Sequence, residues 1–115
     1  MNTLRNKVQL IGNIGTQPEI RTLSNGQSIA RFSLATNENY TGKDGEKVQE
    51  TQWHNLIAWG KQAKLIEKYL SKGQEIAIEG KISTRTFEDK SGSKRTVTEI
   101  VISDLLMLGK NKQND

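Results

Sequence analysis

Val48-Gln49-Glu50-Thr51-Gln52-Trp53-His54-Asn55-Leu56-Ile57-Ala58-Trp59-Gly60, running into Lys61-Gln62-Ala63-Lys64-Leu65-Ile66-Glu67-Lys68-Tyr69-Leu70-Ser71-Lys72-Gly73, is where the period of the chain changes. In the first half Thr51, Trp53, Asn55, Ile57 and Trp59 share one parity, the repeat of a strand. In the second half Ala63, Ile66, Tyr69 and Leu70 recur at three and four, with Leu65 alongside. That spacing predicts an amphipathic helix of about three turns within residues 61–72. Gly73 stands where a left-handed C-cap belongs.

Outward from this switch the chain returns to a period of two. Upstream, between Ser28 and Asn39, Ala30, Phe32, Leu34 and Thr36 share one face and Arg31, Ser33, Ala35, Asn37 and Asn39 the other. Asn25-Gly26 is a tight hairpin turn signal before it. Val8 to Gly15 reads as a first strand bent at its paired glycines, broken at Pro18 and resumed from Ile20 to Leu23. Thr41 to Lys47, with two glycines and four charges, reads as a long mobile loop. Downstream, Ile76, Ile78, Gly80, Ile82 and Thr84 alternate with Ala77, Glu79, Lys81, Ser83, Arg85 and Phe87. Asp89 to Lys94 is a second hairpin loop, and Thr96 to Ser103 a final strand before Leu105 to Leu108.

The expected architecture is therefore all-β: about five strands with one α-helix between the third and fourth. This is the element order of the OB-fold, a partly open barrel whose exposed sheet face and loops bind oligonucleotides. Residues 1–109 are read as that one domain and 110–115 as a short polar C-terminal end, since 115 residues leave little room for a second core.

Composition narrows the chemistry. With no cysteine, disulfides, thiolate catalysis and cysteine zinc sites are excluded, and a single histidine, His54, excludes multi-histidine metal sites. No apolar run approaches the roughly 20 residues of a membrane span, and Met1 to Gln9 lacks the apolar core of a signal peptide, so a cytoplasmic location is expected. Seventeen Lys and Arg against thirteen Asp and Glu give a formal +4, which favours a polyanionic partner. Asp44, Glu46, Glu88 and Asp89 are carboxylates of the kind a two-metal nuclease uses, but they alternate with Lys43, Lys47 and Lys90 as solvated loops do. There is no P-loop, nucleophile elbow or zinc motif. Neither catalytic residue, cofactor nor metal is expected.

Binding an unpaired strand without reading its sequence needs cations for phosphates and aromatic planes for bases. Trp53 and Trp59 lie on one parity of a strand; Tyr40 closes the preceding strand and Phe87 lies beside Arg85, both set against charged loops and off the apolar parity. These four rings are the candidate stacking residues.

A resemblance then covers almost the whole chain. Asn6-Lys7-Val8 leading to Ile11-Gly12-Asn13-Ile14-Gly15, Pro18-Glu19-Ile20-Arg21, Asn25-Gly26, Phe32-Ser33-Leu34-Ala35-Thr36, Trp53-His54-Asn55, Trp59-Gly60-Lys61, Tyr69-Leu70-Ser71-Lys72-Gly73 and Ile78-Glu79-Gly80 follow in the order of the bacterial single-stranded DNA-binding protein family, which the sequence resembles. The resemblance implies an OB-fold that assembles as a homotetramer, less often as a dimer with two folds per chain, and wraps single-stranded DNA in replication, recombination and repair in the nucleoid. It puts base stacking at Tyr40, Trp53, Trp59 and Phe87, the first and last replacing a frequent Trp and Trp59 a frequent Phe. It puts phosphate contacts at Lys7, Arg21, Lys43, Lys61, Lys72 and Arg85, and His54 at a subunit interface. Asn55, Ser71, Ser83 and Thr86 occupy positions that are often basic, for which Arg31, Lys81 and Lys94 are the candidate compensations. Members usually end in an acidic, aromatic-tipped tail that recruits replication and repair proteins. Lys110 to Asp115 has neither feature, so such recruitment is not expected of these residues. A different OB module, of primosomal or translation type and acting through protein or RNA contacts, shares the same expected fold.

Overall fold

A computed structural model describes residues 4–108; the predicted polar end, 110–115, lies outside them. A single 3-10 turn (Leu4–Asn6) leads into six strands and one helix: β1 (Val8–Ile14), β2 (Glu19–Thr22), β3 (Ser28–Thr41), β4 (Lys47–Trp59), α1 (Lys61–Tyr69), β5 (Glu75–Glu88) and β6 (Lys94–Met107). The sheet order is β1-β5-β6-β4-β3-β2, and β1 also pairs with β3, so five strands close into the expected barrel.

The sixth strand is the expected break in the first. β1 meets β3 at Asn13↔Ala35 and Ile14↔Leu34, and β2 follows along the same edge at Glu19↔Arg31 to Thr22↔Ser28. Pro18 in the gap has no N–H to give a ladder. Gly15 N–H donates to the Ser33 carbonyl at 2.8 Å, and Ser33 N–H donates to the Thr16 hydroxyl at 3.0 Å, so side chain and backbone together bridge the break. Counting both pieces puts the helix after the fourth strand instead of the third. Closure depends on Gly12, where a Cβ would run into the Ala35 carbonyl of the crossing strand.

The core holds Ile14, Phe32, Leu34, Leu56, Ile66, Ile76, Ile78, Ile100 and Ile102, with Ala30, Ala58 and Ala63 between them. Burial of each large member contributes about 1.5–3 kcal/mol. α1 closes one end of the barrel through Ala63, Ile66 and Leu70. It is shorter than expected, nine residues, because Leu70 turns extended. Gly73 is left-handed (φ 92°), yet it serves the following turn instead of the cap: Gln74 N–H donates to the Ser71 carbonyl at 3.2 Å and Gly73 N–H to the Ile14 carbonyl at 2.8 Å. Tyr69, expected in the apolar stripe, is exposed beneath the Lys68 ammonium, 5.3 Å from its ring centre. No helix among the described residues is long and apolar enough to cross a membrane.

Both long hairpins run past the barrel. In β3 the burial ends after Thr36, and in β5 it ends near Gly80. The predicted loop at 41–47 is a short hairpin turn over 42–46 held between paired ends: Thr41 pairs with Lys47, and Gly42 N–H closes the turn on the Glu46 carbonyl at 2.7 Å.

Candidate nucleic-acid interface

Strand alternation sorts the polar side chains by face. Even positions of β3, β4 and β5 point into the barrel, and odd positions point out. On the outer face Arg21 pairs with Ile29, which pairs with Trp59. One row along, Lys81 pairs with Val101, Val101 with Ile57 and Ile57 with Arg31. The next outward positions of β5 are Ser83, Arg85 and Phe87, opposite Glu99, Val97 and Arg95. Arg21, Arg31, Lys81 and Arg85 are thus brought onto one face with Trp53, Trp59 and Phe87.

Trp53 is the most exposed of the rings, 64%. Its indole covers Gly15, where a Cβ would collide with the ring and stand 2.9 Å from Ser33 Oγ. Trp59, six residues and about 20 Å further along β4, is 39% exposed beside Gly60. Phe87 is 42% exposed, with the Arg85 guanidinium 5.4 Å from its ring centre. Between the two hairpins runs a cleft of about 400 Å³, bordered by Thr16, Ser33, Asn55, Arg85 and Phe87.

Tyr40 does not join this group. It continues the inward parity of Ala30, Phe32 and Leu34, contrary to the sequence expectation, and is half exposed only because β3 has left the barrel there. Trp53 and Tyr40 therefore stand on opposite sides of the β3–β4 ribbon.

The other predicted cations are dispersed. Lys43 lies in the β3–β4 turn and Lys61 opens α1 beside Trp59. Lys72 lies in the turn after α1, its N–H donated to Gln17 Oε1 at 3.1 Å. Lys94 pairs with Glu88, on the face away from Phe87. Lys7 is 3.5 Å from Glu79. His54 is half buried, with Nε2 3.0 Å from Thr36 Oγ1 across the ribbon.

Two residues were missed in the sequence. Glu99 is buried, and its carboxylate accepts from Arg31 Nη1 at 2.8 Å and from Arg85 Nε at 3.1 Å. The available signal was one acid at an outward position of an otherwise apolar run, in the strand after Arg85. Arg95 donates through Nε to Asp89 Oδ2 at 2.8 Å. The Arg95 guanidinium, helped by Ser91 and the turn N–H groups of Ser93 and Ser91, holds the Asp89 carboxyl down at about 2. Asp89, one of the acids a nuclease would need, is thereby committed to the turn. No group of three or more metal-ligating side chains stands together among the described residues.

Known proteins share this geometry. Residues 5–108 match the model of the Single-strand binding protein family. The chain is 46% identical over 105 residues to Single-stranded DNA-binding protein 1 of Chlorobaculum tepidum, covering 90% of this chain and 65% of that protein. It is 39% identical over 109 residues to the Single-stranded DNA-binding protein of Neisseria meningitidis, covering 95% and 63%. It therefore spans slightly less than two thirds of these relatives. A solved structure described as Plasmodium falciparum SSB complex with ssDNA superposes with a TM-score of 0.85 at 35% identity, covering 95% of this chain and 98% of that one. With the barrel, the register and the match over residues 5–108 in agreement, this chain belongs to the Single-strand binding protein family.

Proposed function

We infer that the chain binds single-stranded DNA without sequence preference and shields it during replication, recombination and repair, with no catalytic step of its own. The observation that carries this is the exposure of Trp53, Trp59 and Phe87 on a face shared with Arg21, Arg31, Lys81 and Arg85. Large rings left in water are costly unless something covers them, and unstacked bases do so at about 1–3 kcal/mol each. Tyr40 adds a ring on the other side of the ribbon, and Lys7, Lys43, Lys61, Lys72 and Lys94 add charge around the path. The same function implies a cytoplasmic, nucleoid-associated location.

The working unit is a homo-oligomer, a tetramer by family resemblance. Ile11 pairs with Ala77 and Ala77 with Leu106, giving an apolar row across β1, β5 and β6 whose outer members are more than 60% exposed. Beside it, the second edge of β1 is ladder-paired only at Asn13 and Ile14 among the described residues. An open edge and an apolar row together suit a second copy of the chain. His54 belongs to the subunit contacts in this reading. Titrating tryptophan emission with poly(dT), with duplex DNA and with structured RNA, while following mass by light scattering, tests the whole proposal. Quenching by poly(dT) alone is expected; equal response to duplex or structured RNA would favour a different OB module.

A further inference from the structure

The outer face carries an anion of its own. Glu99 is only 7% exposed, yet it lies in the face that the proposed function gives to phosphates. Arg31 comes from β3 and Arg85 from β5, and both donate to the one carboxylate of β6. Their side chains are 44% and 47% exposed against 9% for Glu99, so the arginines are open to solvent where the carboxylate is not. A guanidinium has five N–H donors, and Glu99 engages Nη1 of Arg31 and Nε of Arg85. The three side chains together carry +1, where two arginines alone would carry +2.

We propose that Glu99 is a resident counter-anion of the groove, making Arg31 and Arg85 a single phosphate-binding unit that takes one phosphate of the strand instead of two. This rests on the single-strand reading of the face. It also gives Glu99 a second task as a positioning residue: it spans the two hairpins and holds both guanidiniums over the cleft floor. An incoming phosphate approaches from solvent and meets the free donors, so the carboxylate is not displaced.

The test compares the wild-type chain with Glu99→Gln, binding oligo(dT) over a range of salt concentrations, with a thermal melt to show that the variant is folded. Removing the counter-anion should make room for one further phosphate, steepening the dependence of log K on log salt by about 0.7. Binding should be tighter by about eightfold at 0.05 M salt, converging toward 1 M. A folded variant with an unchanged or flatter slope would overturn the proposal while leaving the single-strand reading intact. Failure of both proteins to bind oligo(dT) would overturn both. If Glu99→Gln does not fold, the wild-type protein decides by NMR of the Arg85 Nε–H, which donates to Glu99. That proton should stay protected from exchange in the oligo(dT) complex, and its loss of protection on binding would show the carboxylate displaced and the proposal wrong.

Discussion

The indole of Trp53, on β4, packs against Gly15, just after β1, in space that any other residue at 15 would fill with a Cβ. The most exposed ring of the proposed binding face is thus aimed by a glycine 38 positions earlier. The Ser33 hydroxyl, 2.9 Å from the same Cβ position, narrows the space further.

Gly15→Ala should displace the ring without unfolding the barrel, because the indole is free to move outward. The expected result is a shifted tryptophan emission and a loss of about 1 kcal/mol in oligo(dT) binding, the lower end of one stacking contact. An unchanged affinity with a shifted emission would show that Trp53 does not stack.

Trp53→Ala and Trp59→Ala should each remove about 1–3 kcal/mol of binding. Trp53→Ala should leave the melting temperature nearly unchanged, since that ring contributes little burial. Trp59 is less exposed and its loss should lower stability as well. Isothermal titration beside differential scanning calorimetry separates the two effects.

Gly12→Ala should damage the fold itself. The added Cβ meets the Ala35 carbonyl, which is backbone and cannot rotate away. Overpacking of this kind costs about 1–3 kcal/mol or more, so urea denaturation should show a lower midpoint with the closure between β1 and β3 impaired.

Leu106→Glu places a charge in the exposed apolar row. Because the side chain faces away from the barrel core, the variant should fold but scatter light at a lower mass than the wild-type chain. An unchanged mass would locate the subunit contact elsewhere.

The Asp89 carboxyl, held near 2 chiefly by Arg95, predicts an acid-labile turn between β5 and β6. Its folded value lies below the ordinary one, so its contribution is complete above about pH 4 and disappears as the pH falls toward 2. NMR of the Ser91 and Ser93 amides, both donors to Asp89 Oδ1, should show them losing protection over that window. Arg95→Gln should move the midpoint upward.

Much of this was legible in local patterns. The Asn25-Gly26 turn, the Pro18 break and the helix after Trp59 each depend on residues adjacent in sequence, and the barrel follows from their order. What was illegible depends on where a strand leaves the barrel. Tyr40 falls on the inward parity of Ala30, Phe32 and Leu34, not off it as the sequence reading placed it, and it is exposed because no core is left for it to enter. Gly73 is left-handed as its position suggested, but whether it caps the helix or turns toward β1 is decided by the Ile14 carbonyl, far away in sequence. The Arg31–Glu99 pair spans 68 positions, and no local window contains both.

The opposed placement of Tyr40 and Trp53 has a geometric corollary for any ligand chain. A polymer lying along one side of the β3–β4 ribbon reaches only one of the two rings, and to reach both it must pass over an edge or around the tip of the hairpin. Its contour length is then spent on curvature, so the distance between its ends contracts as more rings are engaged.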